Sequence, residues 1–135
     1  MLRYGIFVRR QWAKDHRELL IGYVAAHIEA QRWLMDRANK DKVIDFIASE
    51  DRLPLDLATQ SYNVNLGPNG LARDAAIDPA RLHNVLQFRA DVEGSWGGKA
   101  PAPDKYYDDS YQKEALSRVE AKLKEARESL GQRAT

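Results

Sequence analysis

The sequence contains no cysteine. A structural disulfide, a thiol nucleophile and a cysteine-ligated zinc centre are therefore excluded. It also lacks an excess of either charge. Twenty-one Lys and Arg against twenty Asp and Glu leave a formal +1, so the chain as a whole carries no strongly basic nucleic-acid footprint. No apolar run approaches the roughly 20 residues of a membrane span. The opening MLRYGIFVRRQW has only Ile6, Phe7 and Val8 as an unbroken apolar run, closed by Arg9 and Arg10. It does not read as a signal peptide.

Chemistry-bearing patterns are equally scarce. His16, His27 and His83 fall on different predicted helices and make no HxxxH or HExxH spacing, so no metal site is expected. No Ser or Asp stands beside them in a triad-like order, and no catalytic residue is expected. Gly67-Pro68-Asn69-Gly70 reads as a turn, because a phosphate loop needs a preceding strand and a following Lys-Ser/Thr. Arg9, Arg10 and Trp12 suggest a basic-aromatic patch, but Asp15 and Glu18 follow closely. A solvated charge cluster is the better reading. No cofactor, nucleic-acid or membrane-inserting function is expected.

What remains is helix. A chain of 135 residues with 44% hydrophobic and 30% charged residues suits one soluble domain, here residues 1–135. Tyr4 to Val8 read as one short strand with no partner elsewhere. Asp15 with Glu18 has capping-box spacing. The apolar series Leu20, Tyr23, Val24, Ile28, Leu34 and Met35 then predicts the central, most buried helix. Asn39 caps a helix with Val43, Ile44 and Ile47 on one face. Pro54 opens a short helix through Tyr62. Asp78 with Pro79 starts another, carrying Leu82, Val85, Leu86, Arg89 and Val92, and Gly94 ends it. The last helix starts at Asp109 or Ser110. Its Leu116, Val119, Leu123, Ala126 and Leu130 form a seam of about two heptads, with Glu114–Arg118 and Glu120–Lys124 as supporting pairs. Residues 131–135 read as a frayed tail. The predicted architecture is mainly α, about five helices and one strand-like segment. Leu20, Val24, Ile28, Ile44, Ile47, Leu82 and Leu86 form the expected core.

KYYDDSY, Lys105 to Tyr111, packs three tyrosines around two aspartates just before the last helix. Asp108 and Asp109 meet the free N–H groups and positive potential of a helix start, and Asp109 with Gln112 repeats the capping-box spacing. The stretch reads as the tether of the last helix.

The order of several segments resembles a known family. A strand-like YGIFVRRQWAKDH is followed by AHIEAQRWLMDRANKDKVIDFIA, then GPNGLARDAAIDPARLHNVLQFRADVEG, then KYYDDSYQKEAL. From about Tyr4 to about Leu116 this is similar to the C-terminal segment of ABC-transporter periplasmic substrate-binding proteins of the nitrate, sulfonate, taurine and thiamine-pyrimidine type. The resemblance implies the helical C-terminal part of a type II periplasmic-binding-protein fold, and a role in small-molecule transport without catalysis. Read from Met1, the chain lacks the two α/β lobes that precede this segment in the family. It would then be a fragment or truncated relative that is not ligand-competent alone. The resemblance also implies a periplasmic location, or a cytoplasmic one if Met1 is the true start. An ABC permease is a partner only within a full-length binding protein. Tyr4, on the entering strand, is the nearest candidate ligand contact. The alternative expectation is an independent helical module that forms a homodimer through Tyr4–Val8 or the seam of the last helix.

Overall fold

The computed structural model describes residues 7–68 and 70–133. Six α-helices follow in order: α1 (Arg10–Asp15), α2 (Arg17–Met35), α3 (Lys40–Glu50), α4 (Leu55–Asn65), α5 (Pro79–Glu93) and α6 (Ser110–Arg133). Short 3-10 turns occupy 37–39, 73–75, 95–98 and 103–105. The chain is mainly α, and among the described residues there is no strand. Of the expected strand, Tyr4, Gly5 and Ile6 lie outside the described residues. Phe7 and Val8 are irregular and exposed.

Several helix boundaries follow from their capping residues. Asp78 accepts from the backbone N–H of Ala80 at 2.9 Å, Pro79 occupies the first turn, and Gly94 closes α5 at φ 65. Asp108 Oδ1 accepts from the N–H of Ser110 at 3.0 Å and starts α6. Pro54 stands immediately before α4, which runs on past Tyr62 to Asn65.

Three expected caps are corrected. Asp15 does not start a helix; it ends α1, where the backbone breaks at His16 (φ −122, ψ 37). The His16 ring stacks on Trp12 with centroids 4.6 Å apart, and Glu18 turns away to α6. Asn39 makes no side-chain cap; its amide donates to Trp33 O, and Asp36 caps the 37–39 turn instead. The Asp109–Gln112 box does not form. Asp109 pairs with Lys113 at 2.5 Å, while the Gln112 amide crosses to the 73–75 turn. Gly131 also lies inside α6, so the expected frayed tail is helical to Arg133; Ala134 and Thr135 lie outside the described residues.

Two apolar clusters hold the helices. In one, Ile21 and Ile28 of α2 meet Ala115 and Val119 of α6. Ion pairs flank this contact: Arg17–Glu114 at 2.6 Å, Arg118–Glu18 at 2.8 Å and Lys122–Glu29 at 2.9 Å. Together with Arg32–Glu120 they extend from Arg17 to Arg32 on α2 and from Glu114 to Lys122 on α6. The expected Glu120–Lys124 pair gives way to Arg32–Glu120, while Glu114–Arg118 forms at 2.6 Å. In the other cluster, α3 and α4 make a hairpin around Val43, Ile44, Ala58 and Tyr62. Helix α5 buries Leu82, Leu86 and Ala90.

The expected core is therefore half right. Ile28, Ile44, Leu82 and Leu86 are buried, but Leu20, Val24 and Ile47 are only partly covered. Ile21, not Leu20, is fully enclosed. Helix α2 is not sealed all round, because Leu19 and Tyr23 are 62% and 52% exposed. The accessible surface is 10036 Å², whereas a compact monomer of 15.4 kDa is expected to expose about 7200 Å².

Candidate functional site

The stripe of α2 left uncovered forms one wall of an open cleft of about 1470 Å³. Tyr23, Val24 and His27 come from α2, and Phe46 and Ile47 from α3. The segment 71–78, packed against α2, and Tyr106, Tyr107 and Tyr111 also line it. The lining is mainly apolar and aromatic, with Arg10, Lys14, Arg73 and Arg81 against Asp78 and Asp108. The rim therefore leans basic without lacking acidic partners. Ligand pockets that enclose a small molecule usually measure roughly 300–1,000 Å³. This cleft exceeds that range and opens widely to solvent.

The 71–78 wall, here called the strap, is held by side chains from two helices. Gln31 is buried on α2, and its Oε1 accepts from the Ala75 N–H at 2.8 Å. Arg32 Nε donates to Asp74 Oδ1 at 2.6 Å. Gln112 of α6 donates to the Asp74 carbonyl at 2.8 Å. Asp74 and Ala75 both have positive φ, 58 and 56. The left-handed conformation costs an L-residue roughly 1–2 kcal/mol, so these hydrogen bonds hold a strained backbone. The Arg32 guanidinium is stabilised in its charged form by Asp74 first and Glu120 second. The strap's other end is fixed by contact: Leu71 N–H donates to Asn65 O at 2.7 Å, and a Cβ on Gly70 would fall 1.9 Å from that same oxygen. Gly70 N–H also donates to Gly67 O at 2.9 Å, as expected of a turn. Asn69, the turn's third residue, lies outside the described residues.

KYYDDSY meets both strap and cleft. Arg10 donates to Lys105 O at 2.8 Å, tying the segment to α1. Tyr106 Oη accepts from Trp96 Nε1 at 3.0 Å, and the Arg17 guanidinium lies 4.8 Å from the Tyr111 ring centroid. Hydrogen bonds from Ser110 lower the Asp108 carboxyl below its ordinary range. Burial, reinforced by Asp109, raises the Tyr107 phenol. The segment anchors α6 and also supplies aromatic surface to the cleft.

The histidines remain apart. His16 sits at the α1–α2 break, His83 is exposed on α5, and His27 lines the cleft with its ring 3.4 Å from the Gln31 amide. Among the described residues no group of three or more His, Asp or Glu is placed to hold a metal. Tyr4, the candidate ligand contact, lies outside the described residues. Sequence reasoning missed the strap clamp of Gln31, Arg32, Asp74 and Gln112. One signal for it existed: Gln31 continues the buried stripe of Ile21 and Ile28, and a polar residue there needs a partner.

No family model matches this chain, and no curated protein or solved structure does so either.

Proposed function

We propose that this chain is a non-catalytic helical element of a solute-binding protein of the kind that serves ABC importers. Its open cleft is the face that an α/β body covers. The cleft carries this reading: an apolar, aromatic-lined trough of about 1470 Å³, larger than a small-molecule pocket. The order of segments in the sequence supplies the choice of family. Alone, the domain is not ligand-competent, because a solute pocket between lobes needs both to supply enclosing walls and fixed polar groups.

The gene sequence upstream of Met1 tests the proposal directly. An open frame encoding two α/β lobes supports it; an in-frame stop immediately upstream overturns it. Calorimetry of the isolated chain with nitrate, taurine, methanesulfonate and an aminopyrimidine should show no binding. Low-micromolar affinity for any of them contradicts the structural role.

A second reading, self-association, rests on α6. Leu123 and Leu130 are 39% and 65% exposed, beyond Lys122, the last α6 residue among those described to pair with α2. A symmetric dimer through this seam would cover both. Light scattering over a dilution series decides it: a strictly monomeric mass at high micromolar concentration excludes the dimer.

A further inference from the structure

We propose that the strap Leu71–Asp78 is a latched gate on the cleft, which opens as a unit while the helices stay folded. Gln31, Arg32 and Gln112 set its opening equilibrium.

Three observations support this. First, the 73–75 turn within the strap contains no buried residue. Ala75 packs against the α2–α6 cluster, while Ala72, Arg73, Ala76 and Asp78 of the strap are exposed, so apolar cover holds the strap at one point rather than along its length. Second, its place is fixed by polar contacts from separate elements: Gln31 to the Ala75 N–H, Arg32 to the Asp74 carboxylate, and Gln112 to the Asp74 carbonyl. The two residues gripped are Asp74 and Ala75, the strap's positive-φ pair. Releasing the grip lets that backbone relax, so the latch works against the strain it holds. Third, the strap forms a cleft wall, through Ala72, Ala75 and Ile77 among others. Its displacement changes access to the apolar lining of α2 and α3.

The latch is also linked to α6. Arg32 holds Asp74 and Glu120 at once, at 2.6 and 2.5 Å, and Gln112 stands on the first turn of α6. A shift of α6 against α2 therefore pulls on the strap. That contact is the route by which a partner on α6 would alter the cleft.

Hydrogen–deuterium exchange on the full chain tests this. In Gln31→Ala, exchange across 71–78 should rise at least tenfold, while peptides covering Val43, Ile44 and Ala58 stay unchanged. Gln31 is buried, so its loss could loosen the whole fold. Gln112→Ala removes a contact made from a partly exposed position, and should raise strap exchange severalfold with the same restriction. Fluorescence of 1-anilinonaphthalene-8-sulfonate in the cleft should increase in both variants. Strap exchange unchanged in both variants overturns the gate. So does an increase shared equally with the α3–α4 hairpin, which would mean global loosening.

Discussion

Helix α2 presents two apolar stripes that differ in outcome. Ile21 and Ile28 face α6 and are fully buried. Leu20 and Tyr23, further round the helix, face the cleft and stay partly or largely open, with Val24 at the border, packed on the first cluster and lining the cleft. Composition does not separate them, since both are built from residues that favour burial. What separates them is whether another element of the chain arrives to cover them. Helix α6 supplies Ala115 and Val119 to the first stripe; the strap only partly screens the second. An amphipathic pattern thus reports which surface seeks cover, not whether the same chain provides it.

The largest expected effect breaks the covered side. Ile28→Ala should destabilise the fold by about 3 kcal/mol, lowering Tm by about 10 °C. Tyr23→Ala, on the open side, should cost less than about 1 kcal/mol. Equal losses in thermal melts would mean that the second stripe is covered in solution. Next in size is the clamp between the stripes. Arg32→Ala removes charge-assisted bonds from a side chain that is 22% exposed, and should cost about 2 kcal/mol in chemical denaturation. A cost within about 0.5 kcal/mol would reduce the pair to a surface contact.

A smaller effect sharpens the contrast at the cleft. Phe46 is 60% exposed and lines it. Phe46→Glu should dim cleft-bound 1-anilinonaphthalene-8-sulfonate with Tm nearly unchanged, whereas Leu123→Lys should leave the dye signal intact. Equal dimming by both would place the dye elsewhere.

The smallest effect is electrostatic. Hydrogen bonds from Arg118 lower the Glu18 carboxyl, and those from Arg17 and Arg118 lower Glu114. Carboxyls depressed in the folded state bind fewer protons there than when unfolded. Their stabilising contribution is therefore present above the ordinary glutamate pKa of about 4.3 and lost as pH falls through their lower folded values. Melts across this range should show the wild type losing stability more steeply than Arg118→Ala. Parallel curves would remove the ion pairs from the balance.

Much of the helical order was legible, because its signals are local. Asp78, Pro79 and Gly94 act within one turn, and the spacing of Val43, Ile44 and Leu86 needs only the helical period. The failures share a different cause. Asp15 and Gln112 sit at capping spacings, yet Glu18 and Gln112 find partners far along the chain, in Arg118 and Asp74. Capping by Asn39 fails more locally, since the 37–39 turn runs straight into α3 and Asn39 itself has helical backbone, with its amide donating back to Trp33 O. The cleft could not be read at all. It arises from the placement of α3, the strap and KYYDDSY around α2, which no single segment encodes.

Among the described residues beyond Lys122, α6 makes no ion pair back to α2, and the described side chains from Lys124 onward are exposed. The stretch from there to Arg133 continues as helix for about 15 Å at 1.5 Å per residue. It works as a spar that lengthens the particle. In small-angle scattering, the radius of gyration should exceed the about 14 Å of a compact chain of this length. The pair-distance distribution should carry a tail that disappears when the chain is cut after Leu123.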